Sequence, residues 1–518
     1  MSSSTPSGGG IWGMLLRPFR LHEVRKFLPL NVILFLICFN YSVLKAAKDA
    51  LMITAPGSGA EAIPFMKIWI VFPVALGITY LFNRLFNRYS QQKTFCIIIG
   101  IFLAFFVLFA YVLYPHRDAI HPHRLGVGLQ EMLPGGCHGF VAIIRNWSYA
   151  LFYVMAELWT TIIMSLAFWG FANSVISVDE AKKHYGILGV SANIGTLCAG
   201  YATANLSAYV FGWVNGDHWG RYLETITVIV VCVGLCTVMM FYRYYRGFIV
   251  RHVKTRDPFF EQGNGAGKKK LGVRKNFSYF KKSKYLICIA VLVMGFNFTI
   301  NITEVIWKGQ IKLLYPHPEG YNRYMGEVLI ANGWLSTIAG LFLCNRLIRR
   351  FGWTFGALTT PVAVFVTGIC FFGFILYKDS ALLVRWTAMV GSNPLTMCVL
   401  FGSVHNVLSR SCKYSFFDAT KEIAFIPLSA ESQVKGKAVI DGLGSRIGKS
   451  GSSLLQSLLL VAFGSMADAT PWSGLILLAA VLCWMVAARS LGRRFDRLVH
   501  PVREGEGCRN RDLEAVRG

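Results

Sequence analysis

Acidic residues are scarce in this chain. Only 26 Asp and Glu stand against 52 Lys and Arg, and the four types together make up 15% of 518 residues. An ordinary soluble protein carries about 25% charge, so the composition argues against a large soluble enzyme. At 54% hydrophobic residues, it argues against disorder as well. The net charge of +26 is dispersed between apolar runs. A nucleic-acid binder would gather it on one polar face, so that class is set aside. The 13 cysteines contain no CxxC pair and lie mostly inside apolar segments, where they read as small core residues and not as a disulfide or zinc framework. His121-Pro122-His123 has no second cluster at ligand spacing and is expected in an external loop, with no metal. The N-terminus is read as carrying no cleavable signal: a Ser/Gly tail and a basic stretch lead into an apolar run too long for a signal-peptide core.

What the chain has in quantity is long apolar runs. A membrane helix needs about 20 such residues. Candidate spans are 28–54, 63–83, 94–114, 139–171, 186–211 and 223–247, then 284–307, 325–345, 354–377, 385–409, 439–467 and 471–490. This predicts an all-α integral membrane protein of about twelve helices in two sets of six, a major-facilitator-like 6+6 architecture. Basic residues concentrate in alternate connections: Arg84 to Lys93, Lys182-Lys183, Arg243 to Lys284, Arg346 to Arg350 and Arg410 to Lys437. The positive-inside rule makes that side cytoplasmic, with both termini inside. The expected organisation is a tail over 1–27, a half over 28–250, a basic linker over 251–283, a second half over 284–491 and a tail over 492–518. The halves look related. Asn40-Tyr41-Ser42 is echoed by Asn297-Phe298-Thr299, and Lys182, Gly189, Ile194 and Gly195 match Lys435, Gly442, Ile447 and Gly448 at one constant offset. Duplicated halves of this kind place a substrate midway between them.

Ionisable residues inside the spans cost at least about 2.5–3.5 kcal/mol each and are functional candidates by default. The first span holds Lys45, Lys48 and Asp49, the second Lys67, the fourth Arg145 and Glu157, the seventh Glu304 and Lys308, and the eleventh Asp441, Arg446 and Lys449. Plainer readings stand beside these. Lys48, Asp49 and Lys308 at helix ends would snorkel to water, and Arg145 would serve as a structural partner for an acid. Arg145 lies twelve residues before Glu157, about 18 Å along a helix, so Glu157 is expected to pair with a lysine from another helix, such as Lys67 or Lys449. The cationic excess suggests an anionic ligand, with phosphate held by charge-assisted hydrogen bonds. Gly442 to Ser450 imitates a P-loop at its Gly-Lys-Ser end, but Leu443 stands where the pattern needs glycine. An ATP-hydrolysing pump is disfavoured.

Several stretches in order resemble the nucleotide transporters of obligate intracellular bacteria and plastids, typified by ATP/ADP translocases. They are 59–65 (GAEAIPF) before Lys67, 152–159 (FYVMAELW), 168–173 (FWGFAN) with 179–182 (DEAK), 303–308 (TEVIWK), and 435–438 (KGKA) followed by 448–451 (GKSG). The resemblance covers nearly the whole chain from about Asn40 to Leu491. It implies a carrier, not an enzyme, that moves ATP and ADP across a bacterial inner membrane by alternating access. It implies no cofactor. Four membrane charges on which the family depends fall on Lys67, Glu157, Glu304 and Lys449, with Lys48, Asp49, Arg145 and Arg446 as additional phosphate or gating candidates. One departure stands out: Lys45-Ala46-Ala47 precedes Lys48-Asp49 where exchangers of the family commonly have Arg-Asp-Thr. That keeps open a relative's mode of action, proton-coupled import of a broader set of nucleoside triphosphates. Phosphate or protons are further possible partners beside the lipid bilayer. A channel and a membrane-embedded enzyme are the rivals from other classes. The mainly basic loops lack the paired acids that an enzyme would want.

Overall fold

The protein is described from a computed structural model, which covers residues 21–176, 178–213, 217–249, 283–428, 436, 440 and 444–499. Residues 1–20 of the expected N-terminal tail, nearly all of the expected linker, the end of the C-terminal tail, Lys435 and Asp441 lie outside the described residues, and residues 21–27 of that tail belong to the first helix. Every regular element among the described residues is helical. Twelve helices form the body: α1 Leu21–Ile53; α2 Ala62–Phe82, α3 Gln91–Leu113 and α4 Trp147–Asn173; α5 Val178–Trp213; α6 His218–Gly247; α7 Lys284–Leu314; α8 Pro318–Phe342, α9 Arg350–Leu376 and α10 Pro394–Phe425; α11 Ser445–Phe463; and α12 Met466–Val499.

Ten of these are long and apolar enough to cross a membrane. The remaining two explain themselves locally. α10 qualifies only together with the short helix Ala381–Met389, from which it is bent by 81°. The expected span 385–409 is therefore not one helix. Gly391 adopts a positive φ of 68°, Pro394 cannot continue the preceding helix, and the Asn393 side chain caps the new one by accepting from the Thr396 N–H at 2.7 Å. α11 fails on composition because Ser445, Arg446, Lys449, Ser450, Ser452, Ser453, Gln456 and Ser457 crowd its first turns. The expected span 139–171 is also divided. Asn146 leaves the helical region (φ −115°, ψ 46°) and separates a short helix, His138–Arg145, from α4.

Burial ranks the helices. The apolar windows of α1, α4 and α7 are 56, 56 and 67% buried, against 17–39% for the other spanning windows. α1, α4 and α7 thus form the middle of the bundle, and the others present a face to lipid, where large apolar side chains such as Leu76, Ile101, Val366 and Val486 are exposed.

The sequence echo between the halves has a packing counterpart. A Cβ on Gly195 of α5 would meet the Phe35 carbonyl of α1 at 2.6 Å, and one on Gly448 of α11 would meet the Met294 carbonyl of α7 at 2.9 Å. The same close approach, fifth helix on first, occurs in both halves. Where the halves meet along α5 and α8, glycines again set the spacing. A Cβ at Gly200 would lie 2.7 Å from the Ile330 nitrogen, one at Gly326 would lie 2.7 Å from the Ala204 nitrogen, and Gly333 faces Leu197. Small residues let membrane helices approach until their backbones touch.

A second contact closes one end of the bundle. A Cβ on Gly136 would collide with the Leu460 carbonyl. Gly309 lies between Met466 and Ala60, and the Lys312 ammonium donates to the Ser58 carbonyl. This seal is built from the connections after α1 and after α3 together with the ends of α7 and α11 and the start of α12. Beside it, His121 is buried and its Nε2 lies 2.7 Å from the Ser148 hydroxyl, which gives that histidine a structural partner.

The α5–α8 seam should tolerate no bulk. Gly326→Leu, forced against backbone, is expected to cost about 1–3 kcal/mol and to lower the thermal unfolding midpoint of the purified protein. Gly77→Leu, at a site with nothing within 4 Å of the added Cβ, should leave the midpoint near wild type. Equal midpoints for the two variants would contradict the packing described.

Candidate functional site

The site grows from α1. Tyr41, Lys45 and Lys48 recur at helical spacing, so they share one face, and Asp49 adjoins them. Lys48 is 2% exposed and Asp49 is fully buried, so neither snorkels to water. The Lys48 ammonium lies 2.7 Å from a Glu157 carboxylate oxygen of α4 and 3.7 Å from Asp49. It also sits 3.6 Å above the Tyr153 ring, one helical turn before Glu157. A cation over an aromatic face inside a dry core gains about 2 kcal/mol or more.

α7 answers from the other half. Asn301, Glu304 and Lys308 are all buried and follow one stripe, at i, i+3 and i+7. Lys308 bridges Asp49 at 2.7 Å and Glu304 at 3.0 Å. Glu304 also receives Arg410 of α10 at 3.0 Å and Lys45 of α1 at 3.8 Å. The Arg410 Nε–H donates to Asn406 Oδ1 at 2.9 Å, which fixes the guanidinium. The result is one continuous chain of charges, Glu157–Lys48–Asp49–Lys308–Glu304–Arg410, joining α4, α1, α7 and α10. One of its links, Asp49–Lys308, crosses from one half to the other, and so does the Lys45–Glu304 pair that branches from it.

Lys67 and Lys449 are arranged differently. Lys67 opens a π-helical turn, Lys67–Val71. Pro73 has no N–H to give the Trp69 carbonyl, which widens the turn before it. The Lys67 ammonium donates to Asn301 Oδ1 at 2.5 Å, a third link across the halves. The Asn301 amide in turn donates to Ser452 Oγ at 2.7 Å, Ser453 Oγ at 2.9 Å and the Lys449 carbonyl at 3.3 Å. Lys449 itself is exposed, although it feels the charges of Glu157, Lys413, Glu304 and Arg410. Among the described residues neither Lys67 nor Lys449 has a carboxylate partner, whereas Lys45, Lys48, Lys308 and Arg410 all do. π-turns also follow Glu157, at Thr160–Trp169, and Arg410, at Lys413–Phe417. Such turns are frequent where a helix carries function.

The structure brings together Lys67, Glu157, Glu304, Lys449, Lys48 and Asp49, and it corrects three expectations. Glu157 pairs with Lys48, not with Lys67 or Lys449, because the α1–α4 packing puts Lys48 opposite it. Arg145 does not join the cluster. It ends the short helix ahead of α4, lies against Gly57 and Gly126, and its Nε–H donates to His123 Nδ1 at 3.4 Å. Arg410 and Lys413, expected in a basic loop, extend the helical path of α10, and Arg410 reaches Glu304. Arg446 is half-buried one turn before Lys449 and has no ion-pair partner among the described residues. Sequence reasoning missed Asn301, a neutral residue in the Asn-Ile-Thr run before Glu304. Its only signal was its place one turn ahead of a buried acid.

Chemically the site is a set of fixed cations that outnumber the carboxylates among them. It suits holding a multiply charged anion. A family model described as TLC ATP/ADP transporter matches residues 5–495. ADP,ATP carrier protein 1 of Chlamydia muridarum is 41% identical over 484 residues, covering 93% of this chain and 90% of that one. The chloroplastic ADP,ATP carrier protein 1 of Arabidopsis thaliana is 37% identical over 92% of this chain and 74% of its own length. Among solved structures, a bacterial homologue of the iron transporter ferroportin in an inward-facing state superposes with a TM-score of 0.57 at 16% identity, covering 90% of this chain and 99% of that one. The E. coli xylose transporter XylE, inward open, gives 0.51 at 13% identity over 95% and 99%. These two speak to the fold alone, a major-facilitator-like bundle. With charges at the junction of the halves and a family match over nearly its whole length, the chain belongs to the TLC ATP/ADP transporter family.

Proposed function

We propose that this protein exchanges ATP for ADP across a bacterial inner membrane by alternating access, with both termini cytoplasmic and a six-helix half on each side of the linker over 251–283. The observation that carries the reading is the contrast among the central cations. Lys45, Lys48, Lys308 and Arg410 are each paired with Asp49, Glu157 or Glu304, while Lys67 and Lys449 keep their charge for a ligand. In this reading the phosphates of the nucleotide lie between Lys67 on one half and Lys449 on the other, with Arg446 one turn away. Lysine serves as a rotatable point charge for such oxygens. Glu157 and Glu304 hold the ion pairs that must break and re-form as the halves rock.

On the positive-inside reading, the contacts at Gly136, Lys312 and Ser58 close the bundle toward the extracytoplasmic side. Exchange then follows from differential stability. The empty site holds an excess of like charge, which a polyphosphate relieves, and a ligand drives a conformational change only by the difference in its affinity for the two states.

Uptake of labelled ATP into proteoliposomes should require internal ADP and respond little to a pH gradient. Uptake into empty vesicles that tracks an acid-outside gradient would replace exchange by proton-coupled import. Lys449→Ala should weaken nucleotide binding by about 10–100-fold, the worth of a charge-assisted hydrogen bond, at normal membrane abundance. Lys449→Arg should recover part of that loss, and Arg145→Ala should bind as wild type does. A normal Kd for Lys449→Ala would refute the assignment. Glu157→Gln keeps the side-chain shape but strips Lys48 of the nearer of its two carboxylates. Measured on one purified sample, its turnover should fall further than its equilibrium binding. The reverse order would place Glu157 in the binding site itself.

A further inference from the structure

We infer that Asn301 is the positioning residue of the phosphate site: a neutral hub that aims Lys67 and sets the register of Lys449 without cancelling either charge. The inference rests on the nucleotide reading above and extends it to a residue on α7 that carries no charge.

The hydrogen bonds define its role. Asn301 Oδ1 accepts from the Lys67 ammonium at 2.5 Å, and its amide nitrogen donates to Ser452 and Ser453 at 2.7 and 2.9 Å and to the Lys449 carbonyl at 3.3 Å. Both serine hydroxyls donate onward to that same carbonyl, at 2.8 and 3.0 Å. The amide has one sensible orientation. Turned over, it would set an NH2 against an ammonium and a carbonyl oxygen against the Lys449 carbonyl. One side chain therefore ties α2 of the first half to α7 and α11 of the second. α11 is held at this height by Gly448, whose missing Cβ admits the Met294 carbonyl and Asn297 Cβ.

The choice of an amide is what matters. Lys48 and Lys308 are held by carboxylates at 2.7 Å, which fixes them and also removes their charge from the ligand's account. An amide fixes Lys67 as firmly and leaves the full positive charge for an anion. A carboxylate in its place would keep the shape and the contact to Lys67 while cancelling that one charge, and it would have no hydrogen to give the Lys449 carbonyl.

The test is equilibrium binding of ATP and ADP to the purified full-length chain by calorimetry, with thermal stability measured on the same samples. Asn301→Asp should still fold, because the salt bridge gained with Lys67 offsets the bond no longer donated to the Lys449 carbonyl, yet should bind both nucleotides about tenfold more weakly. A merely structural asparagine would show no such split, so wild-type affinity in Asn301→Asp overturns the inference. Asn301→Ala should lose a similar factor in the wild-type background and little more in a Lys67→Ala background, since coupled residues are not additive. A full additive loss also overturns it. If the Asn301 variants do not fold, Ser452→Ala with Ser453→Ala removes the far anchor only. That double variant should bind less tightly than wild type, and unchanged affinity counts against the inference. A wild-type protein that binds neither ATP nor ADP removes the nucleotide reading, and the inference with it, which distinguishes that failure from the others.

Discussion

The bundle depends on charge neutralisation in a dry core. Asp49 is fully buried, Lys48 and Lys308 nearly so, and an isolated ion at such depth would cost several kcal/mol even after relaxation. The cost is met by ordering the charges alternately, so that each carboxylate of the central chain faces cations from another helix. This arrangement requires α1, α4, α7 and α10 to arrive together. Removing one partner from a buried pair leaves an uncompensated charge worth about 3–5 kcal/mol. The network holds the halves together. Two of its links run between α1 and α7, and others, Lys48–Glu157 and Arg410–Glu304, each lie within one half.

Packing of small residues does the complementary work. The glycine contacts at Gly195 and Gly448 lock corresponding helices inside each half, while those at Gly200, Gly326 and Gly333 bring α5 and α8 backbone to backbone where the halves meet. Lipid gives helices no hydrophobic drive toward one another, so close van der Waals contact and buried polar bonds have to supply it. α11 shows the trade. Its serines make it too polar to pass as a membrane span on composition, and those serines are the ones that anchor Asn301.

Lysine is used in two ways within a few helical turns. Some meet carboxylate, as Lys48 and Lys308 do; Lys67 meets the Asn301 amide, and Lys449 has no carboxylate partner among the described residues. The distinction cannot be made from residue type, since Lys48, Lys67, Lys308 and Lys449 are all lysines within expected spans or at their ends. It follows from which acids the fold brings near.

Long apolar runs determined by themselves that the chain spans a membrane in two related sets of helices, because hydrocarbon demands about 20 apolar residues per crossing and such runs are local. The charges inside those runs were equally plain, since each violates the local pattern. Lys67, Glu157, Glu304 and Lys449 could be named from it together with the family likeness. Partners could not. Lys48 opposite Glu157, Lys308 opposite Asp49 and Arg410 reaching Glu304 all join residues far apart in sequence, and only the crossing of helices decides those distances. The same holds for Arg145, which composition placed in a span and the break at Asn146 carries away from the cluster, and for Asn301, whose four bonds to Lys67, Lys449, Ser452 and Ser453 all run to other helices. Periodicity and charge are properties of a segment. Pairing is a property of the packed bundle, and at this site it separates the cations that meet carboxylates from Lys67 and Lys449, which do not.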